Sequence, residues 1–208
     1  MTQVLEGMDT TQRTTAGVSA GRLDEFYRLD YRTGAIFNQL TEERVQIIPS
    51  VLWKVLRRRL AEEFREKAPV IDSEIGAVLG SSFAEQIMEH ISDPEVLLKR
   101  MSEVGAAAGW GVFTILGDTR YGSKLTVTVA NCAFCDKQGL SDSPQCDFLV
   151  GVIKGITETV FGTPHRVSEV ECSAMGECVC QVEVEETSEE LCQLWAFSLT
   201  SQASPSRP

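Results

Sequence analysis

The chain has 208 residues, 43% of them hydrophobic, enough to bury one proper core and to suggest a single domain with appendages. Its 19 basic and 30 acidic residues leave a formal charge of −11, which repels phosphate backbones and anionic headgroups and sets nucleic acid aside as a partner. No stretch approaches roughly 18 uninterrupted apolar residues and no basic segment precedes an apolar run at the start, so neither a transmembrane helix nor a secretory leader is expected and the chain reads as cytoplasmic.

Residues 1–20 are rich in Thr, Gln, Gly and Ser and read as a flexible arm; residues 21–190 read as the domain and 191–208 as a tail. Arg44 to Ile48 suggests a short strand ending at Pro49, which then suits the first turn of a helix running to about Glu66. Its expected buried face is Val51, Leu52, Val55, Leu56, Leu60 and Phe64. Lys54, Arg57, Arg58 and Arg59, followed by Glu62, Glu63 and Glu66, read as a solvated face laced with pairs one helical turn apart. Pro69 closes this helix. Ile71 to Leu79 and Ser81 to Ile91 read as helices broken near Gly80, and Asp93-Pro94 opens another through Leu97, Leu98, Met101 and Val104.

After residue 109 the period changes. Trp110–Leu116 and Leu125–Ala130 read as an antiparallel pair, with turn signals at Gly117-Asp118 and Gly122-Ser123 between them. Asp147–Phe161 returns to helical spacing and ends at Gly162, a left-handed cap. Arg166–Cys172 and Cys178–Glu185 flank the turn Ala174-Met175-Gly176-Glu177. The order of helices, two strands, helix, two strands defines an α+β domain with an antiparallel sheet.

Six of the seven cysteines fall between positions 132 and 180: Cys132-x-x-Cys135, Cys146, Cys172 and Cys178-x-Cys180. In a reducing compartment such clustering favours metal ligation over disulfides, and zinc takes four thiolate, imidazole or carboxylate ligands in a tetrahedron. Cys146 opens a helix, Glu169 and Cys172 lie at the end of a strand, and Cys180 lies on its hairpin partner. Glu169 reaches that corner only if its strand bends or ends there. A grouping of Cys132 and Cys135 with two others is equally open on spacing, as is burial of all of them as small hydrophobes. His90 and His165, the only histidines, read as surface or satisfied core residues.

The run Cys146-Asp-Phe-Leu-Val-Gly-Val-Ile-Lys-Gly155, with Gly162, Glu169-Val-Glu-Cys172, Gly176 and Cys180-Gln-Val-Glu-Val, resembles the core signature of the vinyl-4-reductase domain family. That family includes the sensor domains of phenol-responsive bacterial activators and a protein encoded with bacteriochlorophyll synthesis, and its fold is similar to small subunits of the TRAPP tethering complex. The resemblance covers about residues 40–186. It implies N-terminal helices packed on a small antiparallel sheet, and structural Zn²⁺ held by Cys146, Glu169, Cys172 and Cys180 at intervals of 23, 3 and 8 residues. It implies no ligand role for Cys132, Cys135, Cys178 or Cys192. It further implies a homodimer paired through helical faces and an apolar pocket for a hydrophobic or aromatic small molecule, with Trp53, Trp110, Phe113, Phe134 and Phe148 as its candidate walls.

Zinc with four protein ligands has no open position for substrate, so a staple rather than a catalyst is expected. No G-x-G-x-x-G follows a strand and no nucleophile has a supporting base, so no catalytic residue is assigned. The leading expectation is a tetrapyrrole-binding carrier assisting (bacterio)chlorophyll synthesis or photosystem assembly. A one-domain sensor or adaptor for a small aromatic or lipid is the second, and a true 4-vinyl reductase of a divinyl precursor the third.

Overall fold

The core of the molecule is two helices whose backbones touch. A computed structural model describes residues 23–135 and 139–187; the expected arm at 1–20, the tail at 191–208 and Cys192 lie outside the described residues. Helix α1 (Leu23–Phe26) is followed by strands β1 (Tyr27–Asp30), β2 (Ala35–Asn38) and β3 (Arg44–Val45), then helices α2 (Val51–Phe64), α3 (Ala68–Met88) and α4 (Pro94–Ala107). Strands β4 (Val112–Gly117) and β5 (Lys124–Ala130) come next, then helix α5 (Asp147–Phe161) and strands β6 (His165–Glu171) and β7 (Cys180–Glu186). The α+β class with antiparallel pairing is as expected. The main sheet runs β4-β5-β7-β6, with the cysteine-bearing segments at one end.

Helices α3 and α5 cross on glycines. A Cβ added at Gly76 would lie 2.1 Å from the Phe148 carbonyl oxygen, and one at Gly80 2.2 Å from that of Val152. Reciprocally, one at Gly151 would lie 1.9 Å from the Ser73 oxygen and one at Gly155 2.1 Å from that of Ala77. Only hydrogen at these four positions permits so close an approach. The expected break at Gly80 is therefore corrected: Ala68–Met88 is one continuous helix, and Gly80 is a contact surface within it. The rest of α5 matches the sequence reading, with Cys146 as N-cap, Phe148, Leu149, Val152 and Ile153 buried, and Gly162 left-handed at φ 70°.

Two further expectations are corrected. The region before Pro49 is not merely one strand ahead of helices. A three-stranded sheet, β1-β2-β3, fills it, and the expected strand at 44–48 shrinks to Arg44–Val45. Asp30 makes the β1–β2 turn, its Oδ1 accepting from Arg32 N–H at 2.9 Å and its carbonyl from Gly34 N–H at 2.8 Å. Four-residue strands are too short to show a period. Helix α2, moreover, buries none of its residues: Val51, Leu52, Val55, Leu56 and Phe64 are all exposed. The line turned inward is Trp53, Arg57 and Leu60. The Trp53 ring packs on Phe134 and Phe148, and Arg57 pairs with Asp72 of α3. These contacts fix the helix's rotation. Arg58 and Arg59 do pair with Glu62 on the solvated side as expected, whereas Arg57 leaves that face.

Candidate metal centre

The four residues singled out by sequence converge, and two more join them. Cys146 stands at the N-cap of α5, where Glu169 Oε2 accepts a hydrogen bond from its backbone N–H at 3.0 Å. Glu169 reaches the corner through a bulge: the β6–β7 register slips between Glu169 and Glu171, the bend its position requires. Cys172 ends β6 at a turn, Ser173–Met175, whose Met175 N–H donates to the Cys172 carbonyl at 2.8 Å. Gly176, left-handed at φ 99°, completes the turn, and Cys180 opens β7 beside Val129 of β5. Cys132 and Cys135 arrive from the loop after β5, which Ala133 N–H anchors to the Trp110 carbonyl at 3.0 Å.

The result is a knot of five buried thiols and one half-buried carboxylate. Cys146, Cys172 and Cys180 are fully buried, and Cys132 and Cys135 nearly so. Two sets of four bring their ligand atoms within 4.8 Å of one another: Cys146, Glu169, Cys172 and Cys180, and Cys132, Cys135, Cys146 and Cys180. Both groupings that spacing left open therefore form. Sγ–Sγ distances are 3.6 Å for Cys132–Cys146, 3.4 Å for Cys135–Cys180 and 3.7 Å for Cys146–Cys180. Four sulfurs about 2.3 Å from a central ion lie about 3.8 Å apart, so this spacing is that of a tetrahedral edge.

The electrostatics suit a cation. Neighbouring thiols push the Cys132 and Cys146 sulfhydryls far up, and burial pushes Cys172 up to about 12. Hydrogen bonds from the other thiols hold Cys135 low and bring Cys180 down to about 6. Burial also raises Glu169, whose Oε1 is sealed from solvent without a hydrogen-bond partner. Crowded thiols in this state divide the charge unequally, since they cannot all ionise beside one another. A divalent ion removes that conflict and gives Glu169 Oε1 a partner. The cluster can hold a metal ion, and its donor set suits a thiophilic one.

The remaining candidates are placed as follows. Trp53, Trp110, Phe134 and Phe148 form one aromatic cluster, with centroid separations of 4.3 Å (Trp53–Phe148) to 6.5 Å (Trp110–Phe148). Phe134 lies between the two members of the C-x-x-C pair, so this cluster adjoins the thiols directly. Phe113 lies in the same core, its ring against Gly105 of α4. A cavity of about 600 Å³ opens beside the thiol knot, lined by Cys132, Cys135, Ser173, Glu177 and the exposed Cys178 among others. His165 is a satisfied core residue, its ring nitrogens 2.8 Å from the Thr163 carbonyl and 3.0 Å from that of Gly122. Sequence reading missed the charge cluster beneath α2. Arg57 lies 3.6 Å from Asp72 and donates to the Phe134 carbonyl at 3.4 Å, and burial raises Asp147 to about 6. An arginine on an otherwise apolar helical line was the available signal.

The fold and corner define a class: a small α+β domain in which a cysteine-rich hairpin is gathered onto the N-terminus of a core helix. Residues 125–186, the span from β5 to β7 that contains the whole thiol knot, match the V4R domain, which bears out the family resemblance. No curated protein matches the chain in sequence. Among solved structures, the phenol-responsive sensory domain of the transcription activator PoxR with phenol is similar, at TM-score 0.68 and 19% identity, over 91% of this chain and 98% of that one. A vinyl-4-reductase family protein from Methanocaldococcus jannaschii is similar at 0.52 and 18%, over 69% and 85%. A trafficking protein particle complex subunit 3 from Naegleria fowleri, covalently bound to palmitic acid, is similar at 0.51 and 13%, over 67% and 93%. No helix among the described residues is long and apolar enough to cross a membrane.

Proposed function

We propose that this chain is a metal-clamped ligand-sensing domain for a small aromatic or apolar molecule, with zinc on Cys146, Glu169, Cys172 and Cys180. The observation that carries the reading is its likeness to the phenol-responsive sensory domain, which spans nearly the whole of both chains. The four-ring cluster supports it. Trp53 sits on α2, a helix with no buried residue, whereas Phe134 and Phe148 sit on the loop and helix that the thiols tie down. A flat ligand that enters between them exchanges ring–ring contacts for ring–ligand contacts and shifts α2. The exposed apolar residues of α2 would pass that shift to a second copy in a homodimer.

A tetrapyrrole carrier for (bacterio)chlorophyll synthesis or photosystem assembly, acting with proteins of that pathway, is the second reading. What favours it is the same weakly held α2, since lifting it would open the packed aromatic cluster to a larger flat ligand.

Tryptophan fluorescence of the zinc-loaded chain, titrated with phenol, larger single-ring and two-ring aromatics, and Mg-protoporphyrin, separates the two. The sensor reading expects saturable quenching by a small aromatic that a Trp53→Leu substitution weakens at least tenfold. A saturable shift of the porphyrin Soret band at one per chain, without response to small aromatics, would replace it with the carrier. No response to any of them would overturn both.

A further inference from the structure

The proposed clamp leaves Cys132 and Cys135 without a task, although both are buried against its sulfurs. Cys132 Sγ lies 3.6 Å from Cys146 Sγ, and Cys135 Sγ lies 3.4 Å from Cys180 Sγ. The two sets of four ligand atoms thus share one edge, the 3.7 Å pair Cys146–Cys180. A thiolate sulfur has lone pairs enough to bind two cations at once. With Cys146 and Cys180 bridging, the six side chains supply four donors to each of two ions, the number a tetrahedral ion takes.

We propose that this corner is a binuclear thiolate centre, in which Cys146 and Cys180 bridge an inner divalent ion on Glu169 and Cys172 and an outer one on Cys132 and Cys135. The proposal rests on the clamp reading and adds a second metal to it. Charge supports it. Five thiolates and one carboxylate carry six negative charges, which two divalent ions reduce to two; one divalent ion leaves the same two on either set of four alone. The second ion therefore buries its two extra thiolates at no cost in net charge, and an unpaired buried charge is what such a site must avoid. Ser173 N–H, donating to Cys180 Sγ at 3.4 Å, steadies one bridging sulfur.

The two positions differ in their surroundings and donors. The 600 Å³ cavity is lined by Cys132 and Cys135 but not by Cys172 or Glu169, and of the six donors Glu169 alone is half-buried rather than buried. Cys178, exposed on the same cavity, gives an arriving ion a first thiol. A soft divalent ion is the natural occupant of the outer position, because all four of its donors are sulfur. Each ion that loads displaces thiol protons to solvent.

The test is an anaerobic titration of the metal-free full chain with Co²⁺ alone, followed by sulfur-to-cobalt absorption, native mass and electron paramagnetic resonance. The expected result is two cobalt per chain, with a resonance that grows over the first equivalent and falls over the second, because bridging thiolates couple the two spins. A Cys132→Ser/Cys135→Ser variant, with the inner set intact, should take half as much cobalt and keep its full resonance. One cobalt per chain in the unaltered protein would overturn the second position and leave the clamp standing. No cobalt would overturn both, and two cobalts with undiminished resonance would mean separate sites and overturn the shared edge.

Discussion

Helices α2 and α5 are of nearly equal length, 14 and 15 residues, and each carries apolar residues at helical spacing, yet one buries nothing and the other buries half of itself. What separates them is what faces them. Helix α5 has Gly151 and Gly155 set into the backbone of α3, a capped entry at the metal corner and a sheet behind it. Helix α2 rests on Trp53, on Arg57 with its contacts to Asp72 and the Phe134 carbonyl, and on a half-buried leucine. An apolar stripe tells that a helix has a face, not that its own domain covers that face. The rigid half of the molecule holds the thiols, and the loosely held half carries the surface available to move.

Metal removal should break this contrast most severely. A chelator strong enough to strip a site populated a thousandfold above its Kd withdraws about 4 kcal/mol of stability. Cys172→Ser should approach that loss, measured by thermal or urea unfolding, while the exposed Cys178→Ser should change it by less than about 0.5 kcal/mol. Next comes the helix crossing. Gly151→Ala places a methyl 1.9 Å from the Ser73 carbonyl oxygen and should cost about 3 kcal/mol or more, since backbone cannot yield as a side chain does.

Smaller effects fall on α2. Arg57→Met leaves Asp72 buried without its cation and should cost about 2 kcal/mol at neutral pH, less than the full loss of a sealed ion pair because α2 can lift and admit water. Burial already holds the Asp72 carboxyl above its ordinary value against the pull of Arg57. A carboxyl raised by folding binds its proton more tightly in the native state, so its penalty is absent below the unfolded value, grows as pH rises from the unfolded value to the folded one, and is full above it. The deficit of Arg57→Met relative to the unaltered protein should therefore shrink as pH falls toward the ordinary carboxylate value. Smallest of all, Val55→Glu on the outer face should alter monomer unfolding by under about 0.5 kcal/mol, yet abolish self-association in sedimentation if α2 forms the dimer surface.

Where residue chemistry acts locally, the sequence was readable. Asp93-Pro94, whose Asp93 Oδ1 accepts from Val96 N–H, and Gly162, left-handed at the end of α5, set their helix ends by capping alone. The convergence of Glu169 with Cys172 was legible as a condition, a bend in β6, which the bulge meets. Tertiary effects were not. Gly80 looks like a breaker unless Val152 is known to lie against it, and Val51 and Val55 look buried unless Trp53 and Arg57 are known to turn them outward. The union of Cys132 and Cys135 with the other thiols required strand β5 to lie beside β7, and local spacing carries no record of strand order.

The most direct test of the metal corner is unfolding of the anaerobically purified chain before and after chelation, with zinc measured in the same sample. The account predicts zinc bound to the purified protein, a melting temperature that falls by on the order of 10 °C when zinc is removed, and its recovery on adding zinc back. A metal-free protein whose melting temperature neither falls with chelator nor rises with zinc would contradict it.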